Sequence, residues 1–235
     1  MTITNSITTA AAHAPTAPVW HAGDSLLLDE IQHGITVTGS RSASNYGTVV
    51  AGDVTGWLLE GGYTVVTGAG FGIEEAVFGR FLATRAAGLP GRLVVVLTRS
   101  LEVLNPQHRE MLSAVASRGG LLVSITELGH ATTRQKFQQR NAWLGAATAG
   151  TIIVEAAARG ACLETAAAAE AAERHLAAVP GPITSAWSEG THHLIRHAAA
   201  HLVYDQASAT DFGRWASEAA RDRAAAAEQG KEHLG

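Results

Sequence analysis

Short apolar runs rich in Val, Ile and Leu recur along the chain: GITVT (34–38), YTVVT (63–67), RLVVVL (92–97), LLVSI (121–125), TIIVE (151–155) and LAAV (176–179). They are continuous rather than alternating, which is how strands covered on both faces read. Longer segments of helical pattern separate them, near 46–60, 73–87, 106–118, 134–148 and 162–175. This strict alternation over about 34–205 implies right-handed crossovers and a parallel sheet. The predicted architecture is α/β: a Rossmann-like, doubly wound, mostly parallel sheet with helices on both faces.

The flanks read differently. Residues 1–22 are rich in Thr, Ala and Pro without periodicity and are expected to form a flexible tail. The folded domain is then expected over 23–205, followed by a C-terminal helical segment at 206–235. Within that segment 209–229 has helical pattern, with Asp211 as a plausible N-cap. Phe212 and Trp215 either pack back onto the domain or serve a partner.

Composition narrows the function classes. The chain has 235 residues, of which 46 % are hydrophobic and only 16 % charged, against an ordinary charged share of about 25 %. Net charge is −4, so no overall basic field attracts nucleic acid, and any such binding needs a local basic pocket. Cys162 is the single cysteine, which excludes an internal disulfide scaffold and argues against a cysteine-based zinc site. The first basic residue is Arg41, and the N-terminus lacks the charged and apolar regions of a signal peptide. No apolar run approaches the roughly 18 residues of a membrane span. The expectation is a cytoplasmic protein that does not enter the membrane.

Ligands in open α/β sheets bind at the carboxyl ends of the strands, where helix N-termini present free N–H groups. Two loops fit that position. In GSRSASNYG (39–47), Gly39 allows close backbone approach, Ser40, Ser42 and Ser44 offer hydroxyls and Arg41 offers a planar fork for phosphate. The same serines also fit a simple capped helix start. In TGAGFGIEEA (67–76), glycines stand at 68, 70 and 72. A dinucleotide fingerprint requires a different glycine spacing, and a P-loop requires G-K-[ST], so neither motif is present. The acidic ribose ligand expected about 20 residues on is also missing. A third feature is RQKFQQRNAWLG (134–145), which brings Arg134, Lys136 and Arg140 to the start of a helix. Only 17 of the residues are Lys or Arg, so three at the ligand edge carry weight over a solvated charged face.

Taken in order, TVTGSRSASNYG, YTVVTGAGFGIEEAV, VVVLTRSLEVLNPQHREML, GGLLVSITELG, FQQRNAWLG, TIIVEAAARGACLETAAAAEAAERHLAAVPGPI and GTHHLIRHAAA resemble the DprA/Smf family of DNA-processing proteins. The resemblance covers roughly 35–200 and rests on the ordered set rather than on any one piece. It implies an extended Rossmann-like core that binds single-stranded DNA, forms a homodimer and helps load a RecA-type recombinase in DNA uptake and transformation. It implies no cofactor and no catalysis. The phosphate- and DNA-binding set carried over is Gly39, Ser40, Arg41, Ser42, Gly68, Gly70, Phe71, Gly72, Lys136, Gln139, Arg140 and Asn141. Three places depart from the family pattern. Phe71 stands where S-G-x-A-R-G-I-D has its arginine, and F-P-[KR]-R-N-R reads Phe137-Gln138-Gln139-Arg140-Asn141-Ala142. S-G-S-L-x-T-A reads Gly160-Ala161-Cys162-Leu163-Glu164-Thr165-Ala166. Fewer charges mean weaker DNA binding or another ligand in the same pocket, with Lys136 as partial compensation. Phe71 either offers a face for base stacking or packs beneath its loop.

Catalytic signals are thin. His193, His197 and His201 follow helical spacing but have no carboxylate in register, and metal binding is not expected. Cys162 has no evident base partner, and Glu74 stands at the family's Asp position, where it caps or orients the loop. The alternative to DNA binding is a nucleotide sensor or hydrolase of the wider group that includes the LOG phosphoribohydrolases. That group's P-G-G-x-G-T-x-x-E motif is absent around Glu155 to Thr165.

Overall fold

The computed structural model describes residues 2–7, 18–130, 132–198 and 200–232. The expected alternation is present. Strands β3 (Ile35–Thr38), β4 (Thr64–Gly68), β5 (Arg92–Leu97), β6 (Leu121–Ser124), β7 (Gly150–Ile153) and β8 (His175–Ala178) pair in parallel with a short β9 (His201–Leu202). Helices α2 (Asn45–Glu60), α3 (Ile73–Ala86), α4 (Arg109–Ser117), α5 (Arg134–Ala147), α6 (Leu163–Ala171) and α7 (Glu189–His197) connect them. The parallel strands stand in the order β6-β5-β4-β3-β7-β8-β9, so the winding reverses between β3 and β7.

Adjacent strand residues serve opposite faces of the sheet, as the pleat requires. Val65 packs with Val54, Leu58, Val77, Phe78 and Phe81 of α2 and α3, whereas Val66 packs with Trp143 and Leu144 of α5. Ile153 and Ala178 meet α6 and α7 through Ala166 and Leu194. Both faces are thereby covered, which explains why the strand sequences are continuously apolar.

The N-terminal expectation is corrected. Thr4–Ile7 (β1) and Pro18–Gly23 (β2) are strands rather than loose chain, pairing antiparallel with each other, and β2 pairs antiparallel with β6. The first and last stretches of the expected tail thus extend the sheet to nine strands, while 8–17 lie outside the described residues. A short helix, α1 (Leu27–Glu30), leads from this arm into β3. The expected helix at 162–175 also ends early, at Ala171, where Glu173 takes φ +54° and turns the chain into β8.

The C-terminal helix α8 runs Gln206–Glu232. Asp211 is not its cap. Asp205 Oδ1 accepts from Ser208 N at 2.8 Å while Ser208 Oγ accepts from Asp205 N at 3.0 Å, a reciprocal cap six residues earlier. Asp211 pairs instead with Arg214 on the helix surface. Phe212 packs into the main core, while Trp215 remains 43 % exposed, its ring 4.6 Å from His175 and 4.3 Å from His201. The helical spacing of His193, His197 and His201 is broken, because α7 stops at His197 and His201 begins β9. Among the described residues, no helix is long and apolar enough to cross a membrane.

Candidate functional site

The carboxyl ends of β3, β4 and β7 meet where the strand order reverses, the place where open α/β sheets hold ligands. A cavity of about 530 Å³ opens there between the end of β3, the start of α3, the first turns of α5 and the turn into α6. Its floor is a buried ion pair between Glu74 and Arg140, only 3 % and 5 % exposed. Glu74 Oε1 also accepts from Thr38 Oγ1 at 2.9 Å, and its Oε2 accepts from Gly70 N at 2.7 Å. One carboxylate therefore ties β3, the glycine loop and α5 together.

The two loops are clipped to each other through backbone. Ile73 N donates to Ser40 O at 3.1 Å, and Ser40 N donates to Glu155 O at 2.7 Å. Gly72 makes that approach possible: its φ is +67°, and a Cβ there would meet the Ser40 and Arg41 carbonyl oxygens at 2.5 and 2.7 Å. Glu155 is buried and fully engaged, accepting from Ser44 N at 2.8 Å and from Ser44 Oγ at 2.6 Å. Ser44 is the N-cap of α2, so the serine-rich loop serves partly as a helix start.

The structure sorts the sequence candidates. Gly39, Arg41, Arg140 and Asn141 line the cavity, and Gly70 and Phe71 line a smaller cleft of about 140 Å³ beside it. Gly68 and Gly72 shape the loop without facing either space. Ser40 Oγ accepts from Ser42 N at 3.1 Å, and Ser42 O takes the indole N–H of Trp187, so these serines act inside the loop. Arg140 borders both spaces, but its guanidinium is committed to Glu74. Asn141 Nδ2 donates to Ala161 O at 3.2 Å and to Glu164 Oε2 at 3.0 Å.

Lys136 and Gln139 stand apart from the other candidates. Neither lines the cavity, which α5 meets through Arg134, Phe137, Gln138, Arg140 and Asn141. Lys136 Nζ points to Ile125 O at 3.5 Å. Two arginines outside the carried-over set border these spaces, one of them Arg134 of the basic α5 segment. Arg134 is exposed on the cavity wall, and Arg99 borders the cleft just after β5. Arg99 follows an apolar strand directly, which is the positional signal that already singled out Arg41. The Arg41 guanidinium lies 5.9 Å from the Phe137 ring centroid, close enough for a cation–π contact.

Cys162 lines the cavity but is buried, and desolvation, reinforced by the nearby Glu74 charge, pushes its thiol up to about 12 from 9.0. At pH 8 the native thiol is expected to react with iodoacetamide at least about a hundredfold more slowly than the denatured chain, as followed by mass spectrometry. Its raised value also means that the folded state holds a proton that the unfolded chain releases. The thiol's contribution to stability is therefore complete below about pH 9 and is lost as pH rises toward 12.

Comparison with known proteins sets this site in a family. The family profile of DNA recombination-mediator protein A matches residues 5–212. A Mycobacterium tuberculosis protein bearing the name DNA processing protein DprA is 35 % identical over 189 residues, covering 80 % of this chain and 46 % of the relative. The chain thus spans about half the length of that relative. The X-ray structure of DNA processing protein A from Streptococcus pneumoniae aligns with a TM-score of 0.70 at 27 % identity, over 81 % of this chain and 64 % of that one. DNA processing protein A from Helicobacter pylori, solved for its single-stranded DNA binding mode, aligns with a TM-score of 0.75 at 18 % identity, over 89 % of this chain and 94 % of that one. With the profile matched over most of its length and the fold shared with these structures, the chain belongs to the DNA recombination-mediator protein A, or DprA/Smf, family.

Proposed function

We propose that the chain binds single-stranded DNA in the cavity at the β3/β7 reversal and acts in DNA uptake and recombination, in the cytoplasm and without a cofactor. The observation that carries this reading is the pairing of exposed Arg41 and exposed Arg134 on the walls of that cavity. Neither makes an ion pair among the described residues, so both charges are available to phosphate. With a net charge of −4, attraction must come from this local patch. The state of the nearby acidic and thiol groups supports binding over catalysis. Glu74 and Glu155 have their oxygens occupied by structural hydrogen bonds, and Cys162 is held protonated.

On this reading the protein works as a homodimer and hands its strand to a RecA-type recombinase. Leu202, Tyr204 and Trp215 at the β9 edge offer an exposed apolar surface to a second copy. The test is competition. A 20-nucleotide oligo-dT strand should displace a labelled single strand at a concentration at least about tenfold lower than a duplex of the same length requires. Equal displacement by duplex, or displacement by free mononucleotides at similar concentration, would overturn the reading.

A further inference from the structure

Phe71 crowns the glycine loop with 39 % of its surface exposed, yet its ring is braced from behind. The Phe71 and His108 ring centroids are 4.5 Å apart, and His108 stands edge-on to buried Phe78 at 5.4 Å. His108 itself is 1 % exposed, and neither of its ring nitrogens has a hydrogen-bond partner. Its Nε2 lies 3.5 Å from Glu75 Oε2. Burying an imidazole without hydrogen bonds is unfavourable, so its placement calls for a gain elsewhere. The visible gain is packing, because the imidazole is held between the Phe71 and Phe78 rings, a contact that orients Phe71.

Phe71 borders the 140 Å³ cleft, and His108 does not. The cleft is small beside the 530 Å³ cavity, with room for a flat ring but not for a sugar and phosphate as well. Asn105 and Arg99 also border it. Asn105 Oδ1 accepts from Gln107 N at 3.2 Å, which leaves its amide N–H groups to donate to a ring nitrogen or carbonyl. Arg41 and Arg140 line both spaces, so the cleft opens directly off the cavity.

We propose that Phe71, positioned by His108, is the stacking wall of a nucleobase subsite beside the phosphate-binding cavity. The subsite rests on the single-stranded DNA reading above and deepens it. A base is gripped at the loop position where the family pattern has a charge, and this contact is insensitive to salt. Every base has a π-face, so stacking here tolerates any sequence.

The experiment compares fluorescence-anisotropy titrations of a 20-nucleotide oligo-dT strand and an equally long strand of abasic sites. The unaltered protein should bind oligo-dT about tenfold more tightly than the abasic strand, a ratio within the range for one stacked base. Phe71→Leu should abolish that ratio while leaving abasic binding within about twofold, and Phe71→Trp should restore it. His108→Ala should reduce the ratio without changing abasic binding, an effect that a merely structural role would not produce. Phe71→Arg should remove the base preference and steepen the salt dependence by about one phosphate contact. Equal binding of both strands by the unaltered protein, or a ratio unchanged in Phe71→Leu, overturns the subsite and leaves the DNA-binding reading standing. Failure to bind either strand overturns both.

Discussion

Arg140→Ala is expected to lower the thermal midpoint by about 10 °C, measured by calorimetry or circular dichroism. Arg140 and Glu74 are both buried, and removing one partner of such a pair costs about 3–5 kcal/mol because the remaining charge stays uncompensated. For a chain of this size each kcal/mol moves the midpoint by roughly 2–4 °C. Glu74 keeps its bonds from Thr38 and Gly70 in the variant, which holds the effect toward the lower half of that range. The pair with Glu74→Gln tests the mechanism. Arg140→Met combined with Glu74→Gln should be more stable than Arg140→Met alone, because no charge is then buried without a partner. A midpoint shift of Arg140→Ala below about 3 °C would mean that solvent reaches the cavity floor and screens the pair.

Arg41→Ala is expected to weaken oligo-dT binding more than tenfold at about 50 mM salt. Arg41 sits on the seam between the cavity and the cleft and makes no ion pair among the described residues. A charge-assisted hydrogen bond is worth roughly 1.5–3 kcal/mol, which sets that scale. The side chain is exposed, so the folded state should be unaffected and the loss should fall on binding. Arg134→Ala should produce a smaller loss, because that side chain lies at the cavity mouth on the first turn of α5. Lys136→Ala should change affinity less than twofold, since its amine is directed at the Ile125 carbonyl.

The architecture was legible because buried parallel strands leave an unmistakable pattern. RLVVVL reads as a strand with no help from its neighbours, and so do YTVVT and TIIVE. The N-terminal arm was not legible, because Thr4–Ile7 and Pro18–Gly23 carry no apolar periodicity of their own. β1 pairs with β2, and β2 is anchored by β6, a partner about a hundred residues away in sequence that no local signal records. The cap of α8 was misplaced for a related reason. Asp205 and Asp211 are both good caps by type, and only Ser208 at the right distance separates them.

At the site, the sequence located both loops and the α5 segment, and it assigned Glu74 a loop-orienting role that its bond to Gly70 bears out. It could not show that Arg140 is neutralised, because Glu74 lies 66 residues earlier and its reach depends on the fold. Nor does composition show which α5 side chains reach the cavity: Arg134 and Gln138 border it, while Lys136 and Gln139 do not. Phe71 has a structural meaning only once His108, 37 positions further along the chain, is seen behind it.

The most direct test of the central claim is the slope of log binding constant against log salt for oligo-dT. Two to three phosphates held by Arg41, Arg134 and Arg99 predict a slope of about −1.4 to −2, and Arg41→Ala should make it shallower by about 0.7. A flat slope, or no binding at about 50 mM salt, would contradict the account.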